Sequence, residues 1–272
     1  GLDYQWARSV NPAIIYLSST NQGQTGPYRS HPGFGTQLAS LSGFIGISGW
    51  PDREPVGTFG AYTDWINPKF GVSVITAALE HRQRTGQGMY IDQSQLEGAL
   101  HFLAPLILDY TVNGRVAKRN ANRRSHAAPH NSYPCAGEDR WCTIAVFDDA
   151  QWESLKNAIG NPNWTKNTRF STLLGRKRHE EELDKRLSQW TRQHTPHDIM
   201  HWLQNAGVPA GVVQSGEDLF ADPQLHHRNH YVPHEHTEIG KHHYDRFAFR
   251  LSDTEGGPRG PSPCLGEHNE YV

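Results

Sequence analysis

Asp64 lies in the run Tyr62-Thr63-Asp64-Trp65, directly ahead of Asn67-Pro68. A carboxylate beside a helix start sits at the positive end of the helix dipole. It can serve there as a cap or as an ionised nucleophile that attacks an acyl carbon. Position alone favours the cap or a solvated loop residue.

Other clusters are less specific. His226, His227, His230, His234, His236, His242 and His243 crowd one segment, and His234 and His236 are spaced to chelate. No His-Glu-x-x-His and no paired Cys-x-x-Cys accompanies them, so no metal is expected. Cys135 and Cys142 flank Gly137-Glu138-Asp139, which is not zinc-knuckle spacing; they read as core or strand cysteines, with His126 and His130 the nearest histidines in sequence for a nucleophilic pair. The stretch from Arg115 to Arg124 holds Lys118, Arg119 and Arg123 but no interleaved aromatics to stack on bases. It reads as a solvated linker. Gly23, Gly26, Gly33 and Gly35 match neither the dinucleotide fingerprint nor the phosphate loop.

The elements that position these residues follow from their patterns. Ala13 to Leu17 is a short β-branched run and predicts a buried strand leading into a polar loop at Ser18–Pro27. Thr36 to Ile45 has helical spacing. Asn67-Pro68 predicts an N-cap with proline at the first helical position, with Phe70, Val74, Ala77 and Ala78 on one face and a stop at Arg84–Gly88. Met89 to Ile91 predicts a strand. Ser94 with Glu97 forms a capping box ahead of a helix carrying Leu96, Leu100, Leu103, Leu106 and Ile107. Further on come a strand at Trp141–Phe147, a helix capped by Asp148 or Asp149, a charged helix from His179 to about Gln193, a helix started by Thr195-Pro196, and a strand at Gly211–Gln214. After Asp222-Pro223 the chain reads as loop. This order predicts an α/β architecture.

Composition narrows the class. The chain has 272 residues, 36% of them hydrophobic, with 26 basic and 28 acidic side chains and a net charge of −2. That balance gives no footprint for nucleic acid. No apolar run approaches the about 20 residues of a membrane span. Three cysteines suit a reducing compartment, and a cytoplasmic protein is expected. Gly1 opens the chain in place of Met, and no signal-peptide pattern follows it.

Longer blocks carry a resemblance. Asn11–Ser18, Gly23–Arg29 and Pro32-Gly33-Phe34 are followed by Arg84-Thr85-Gly86-Gln87-Gly88-Met89-Tyr90-Ile91-Asp92. Ala127–Cys135, Ala206–Gly211, Asp222–Leu225 and Leu265-Gly266-Glu267-His268 then come in order. Together they resemble the class III CoA-transferases of CaiB/BaiF type across almost the whole chain. The resemblance implies part of a Rossmann-like large domain at 1–112, a linker at 113–130, a small α+β domain at 131–222 and a return to the large domain at 223–272. It also implies interlocked homodimers, and a preceding Rossmann-like half that holds much of the CoA, so that this chain reads as N-terminally truncated.

In that family the nucleophile is an aspartate in a loop feeding the helix that ends at the Arg-Thr-Gly turn, and Asp64 occupies that place. The resemblance therefore assigns catalysis to Asp64; Gly33, Phe34 and Trp65 are expected to bind substrate, and Trp65, Phe34 and Trp50 suggest room for an apolar or aromatic acyl group. The implied reaction moves CoA from an acyl-CoA to a free carboxylic acid, with coenzyme A as substrate and no further cofactor. Two departures bear on it. Gly35 stands where many relatives carry an acid, and Phe34 stands where the related racemases carry a histidine, which disfavours racemisation. The family's glycine run over the site is not evident. An acyl-CoA racemase or isomerase, and an incomplete subunit needing a partner for CoA binding, are the alternatives.

Overall fold

The computed structural model describes residues 2–271. The chain divides into two compact units, residues 1–125 and 126–272.

In the first unit, α1 (Tyr4–Val10) precedes β1 (Ile15–Thr20). The crossover from β1 carries α2 (Gly35–Leu41), α3 (Phe44–Ile47) and the long α4 (Tyr62–Thr85), and returns through β2 (Met89–Ser94). β1 and β2 pair in parallel, from Ile15 opposite Met89 to Thr20 opposite Ser94. The turn into β2 needs glycine at 88, because a Cβ there would lie 1.9 Å from the Ile14 carbonyl oxygen. Gly86 ends α4 in the left-handed region at φ +71°, as its sequence context predicts. α5 (Gln95–Leu100), a 3₁₀ turn at His101–Leu103 and α6 (Ala104–Asn113) follow. The core joins Leu38, Ala39, Ile66, Ala78, Ile91, Ala99 and Leu103. Three alanines alternate here with four large aliphatic side chains.

Three expectations are corrected in this unit. α4 starts at Tyr62, ahead of Asn67, and Pro68 lies inside it. Tertiary contacts outweigh the proline signal: Thr63 and Asn67 are buried, and the Thr63 hydroxyl donates to the Gly35 carbonyl at 3.1 Å. The helix expected after Ser94 breaks at His101–Leu103, because Pro105 starts a new helix at its first turn. The helix expected at Thr36–Ile45 is likewise two pieces, divided at Gly43 with φ +92°. On α4, Ala78 is buried and Phe70 and Val74 are half-buried, whereas Ala77 is exposed.

The second unit is built on an antiparallel sheet of β3 (His130–Pro134), β4 (Trp141–Ala145) and β5 (Ala210–Val213), in that order. Between β4 and β5 come α7 (Asp149–Ala158), α8 (Leu173–Arg178), α9 (Glu180–Thr191) and α10 (Pro196–Asn205). Asp148 caps α7 by accepting from the Gln151 amide at 2.7 Å, and Thr195 caps α10 as its Thr-Pro start predicts. Tyr133, Ile144, Trp152, Leu155, Phe170, Leu183, Leu187, Ile199 and Leu203 form one apolar core. Arg176 is buried in this unit, donating to the Ala128 and Phe170 carbonyls and to Asp149.

The stretch after Asp222 is also corrected. α11 (Gly216–Ala221) and α12 (Pro223–His227) lead to a hairpin of β6 (Tyr231–His236) and β7 (Gly240–Asp245). Its alternation is written in His, Tyr and Val around Pro233, so it lacks the aliphatic pattern that marks a strand. Among the described residues no helix is long and apolar enough to cross a membrane.

Candidate active site

The polar ends of β1 and β2 set the position of α4. Asn67, 2% exposed, donates to the Ser19 hydroxyl at 2.9 Å. Gln93 donates to the Asn67 backbone carbonyl at 2.8 Å and to its Oδ1 at 2.9 Å. The loop after β1 is pinned to β2 as well. The Gln24 amide donates to both Asp92 oxygens, at 3.0 and 3.1 Å, and the Leu96 amide donates to the Asn21 carbonyl at 3.0 Å. The first turns of α4 are therefore held at the carboxyl ends of two parallel strands, where α/β proteins place their ligands.

Asp64 lies in the first turn of α4, one turn before Asn67, and is exposed. The start of a 24-residue helix carries partial positive charge, and the N-cap, Ala61, supplies no capping side chain. Among the described residues the carboxylate makes no hydrogen bond and no ion pair. Its oxygens keep their lone pairs, which a nucleophile needs.

Of the residues expected at the substrate, Phe34 and Trp65 are neighbours in the chain of Gly35 and Asp64, and Gly33 lies one residue further away. Trp65 follows Asp64 in the chain and is 69% exposed. Phe34, 84% exposed, is the N-cap residue of α2, and the next residue, Gly35, is buried against Asp64. Gly33 has Asn21 and Gln37 as its nearest neighbours. Both rings are exposed at the starts of the two helices whose first turns meet at Gly35 and Asp64.

Several residues at this site were not identified from sequence. Asn67 reads as a cap, yet it is the buried polar anchor of α4. Ser19, Gln93 and Asp92 lie at strand ends, where a polar break in an apolar run is the signal that could have found them.

The other clusters fall elsewhere. The histidines sit on α12, at His230 just after it and on the hairpin, where His234 is opposite His242 and His236 Nε2 is 3.9 Å from Cys264 Sγ. Among the described residues, no three His, Cys, Asp or Glu side chains are close enough together to hold a metal ion. Cys135 and Cys142 are buried, and burial pushes both thiols up, which keeps them protonated. His126 and His130 pack against Phe147, each with ring centroids 6.1 Å away. In the basic stretch, Arg119 donates to the Trp50 carbonyl at 3.4 Å and Arg115 pairs with Asp109 at 3.3 Å.

Comparison with known proteins gives one answer. The model of CoA-transferase family III matches residues 1–269. The chain is 31% identical over 272 residues to succinyl-CoA–D-citramalate CoA-transferase of Chloroflexus aurantiacus, covering 100% of this chain and 67% of that protein. It is 34% identical to succinate–glutarate CoA-transferase of Agrobacterium fabrum, covering 100% of this chain and 68% of that protein. A CaiB/BaiF family protein from Brucella suis superposes with a TM-score of 0.91 at 31% identity, over 99% of this chain and 70% of the other. The α/β architecture is that of this family, as its sequence blocks imply, and the chain belongs to CoA-transferase family III, the transferases acting on acyl-CoA.

Proposed function

We propose that this chain moves CoA from an acyl-CoA donor to a free carboxylic acid with Asp64 as the covalent carrier. The observation that carries this reading is an exposed carboxylate at a helix start that has no hydrogen-bond or salt-bridge partner among the described residues. Asp218, by contrast, is tied to Arg140 at 2.7 Å.

The electrons balance in four steps. An Asp64 oxygen attacks the thioester carbonyl, the C–S bond breaks, and CoA leaves as thiolate with Asp64 held as a mixed anhydride. The thiolate then attacks the Asp64 carbonyl carbon and expels the donor acid as carboxylate, leaving an aspartyl-CoA thioester. The acceptor carboxylate attacks that thioester and releases CoA thiolate again. Finally the thiolate takes the acceptor acyl group and restores the Asp64 carboxylate. No proton is gained or lost overall. One hard exchange is divided into steps of similar energy.

Phe34 and Trp65 form apolar walls for the acyl chain and the pantetheine arm, with Gly33 beside them. The relatives named above are a succinyl-CoA–D-citramalate enzyme and a succinate–glutarate enzyme, which supports succinyl-CoA as donor and a short dicarboxylic acid as acceptor. The exposed apolar residues of α6, Leu108 and Val112 among them, support a homodimer. The free thiols of Cys135, Cys142 and Cys264 suit the cytoplasm.

The test is a trapping experiment. Protein incubated with succinyl-CoA and then treated with borohydride or hydroxylamine should yield a modified peptide containing Asp64. An unmodified peptide during active turnover contradicts the reading.

A further inference from the structure

We propose that the second unit binds a small alkylated ammonium compound in the groove where α7, α9 and α10 end. The groove has a volume of about 620 Å³. Its walls are Ile159 and Gly160 at the end of α7, Trp190 and His194 at the end of α9, and Trp202 and Asn205 at the end of α10. That volume is ordinary for a small-molecule site.

The aromatic wall is anchored from behind. Trp190 packs on the apolar core of this unit, and the His194 carbonyl accepts from the Ala136 amide at 2.9 Å. The His194 ring lies 4.9 Å from the Trp190 ring and 5.0 Å from the Trp202 ring, and the two indoles are 6.4 Å apart. Their planes are inclined by 52° to 81°, so the rings do not stack flush, and Trp202 stays 43% exposed. The electron-rich face of an indole attracts cations.

Charge selects the occupant. The end of a helix carries partial negative charge, and helices of 10, 12 and 10 residues end here. α9 and α10 have no basic residue in their last turns, and Lys156 of α7 is held by Glu153 at 2.6 and 2.7 Å. Among the described residues that line the groove there is no Asp, Glu, Lys or Arg. A bare metal ion or primary ammonium finds no carboxylate here to replace its water. An alkylated ammonium holds water weakly and presents methyl groups to the rings, so this field and these walls suit it.

The test is a titration of the ¹⁵N-labelled protein with tetramethylammonium chloride, against sodium chloride at equal ionic strength. The Trp202 indole N–H signal, identified by its absence in Trp202→Leu, should shift and saturate at about millimolar concentration. tert-Butanol, a neutral molecule of similar shape, should bind about 10-fold more weakly. Asn205→Lys fixes a cation at the end of α10. It should keep or raise the melting temperature, weaken tetramethylammonium about 10-fold and leave tert-butanol unchanged. A shift that does not saturate overturns the proposal. So does equal binding of the two probes, since the groove would then read shape alone, and so does unchanged tetramethylammonium affinity in folded Asn205→Lys.

Discussion

Pro68 follows Asp64 by one helical turn inside a continuous helix, so the Asp64 carbonyl has no amide at the position that would normally bond to it. The first turn of α4 is thereby joined to the rest of the helix by one bond fewer. Asp64 is positioned instead by Thr63, Ile66 and Asn67, which are buried on either side of it. Pro68 is exposed, so its replacement creates no cavity. Pro68→Ala should raise stability by up to about 3 kcal/mol, read from a denaturant midpoint. A fall in stability would mean that the proline is needed to shape this turn.

Asn67→Ala should cost about 1–3 kcal/mol, because the change deprives Ser19 of its donor and Gln93 of one of its acceptors in a buried setting. Thermal unfolding measures it. A cost within the noise would show that α4 is held on the sheet without this network.

Phe34→Ala and Trp65→Ala should leave stability within about 0.5 kcal/mol, since both rings are exposed. Both should raise KM for the acyl-CoA. Steady-state kinetics beside a melting curve separates the two effects, and an unchanged KM would remove these rings from the substrate.

Acid should weaken the second unit through Asp218. The Arg140 guanidinium, together with the Ser215 amide and hydroxyl, holds this carboxyl well below the usual carboxylate range. A depressed value in the folded state stabilises the fold above the unfolded value of about 4, and that contribution is lost as the pH falls through the folded value. Asp218→Asn should therefore be less stable than the parent at pH 7, and the gap should narrow progressively below about pH 4. A gap that is constant with pH would contradict the assignment.

The sequence made some of this legible and hid the rest for physical reasons. β2, the stop at Gly86 and the caps at Asp148 and Thr195 follow from local chemistry, and local rules found them. Asp64 is different. Its type and position fit a cap as well as a nucleophile, and only the ordered family blocks single it out. The start of α4 was misplaced because Asn67-Pro68 has the form of a helix start, whereas burial of Thr63 and Asn67 against other elements decides the outcome. Gly35 stands out in the sequence as a departure from the family, but its approach to Asp64 joins two helices far apart in the chain, and no sequence period reports such a contact. The β6–β7 hairpin was hidden because histidine and tyrosine occupy the alternating positions that aliphatic residues usually mark.

Oxygen exchange tests the central claim most directly. Turnover with succinyl-CoA and an acceptor acid labelled with ¹⁸O in its carboxylate should place one labelled oxygen on Asp64 when the acceptor acyl group leaves, and pass it to the succinate released in a later cycle. Mass spectrometry of the Asp64 peptide and of the product succinate should find label in both. Label in neither, with CoA transfer proceeding at its normal rate, would mean that the carboxylate never bonds to either acyl group.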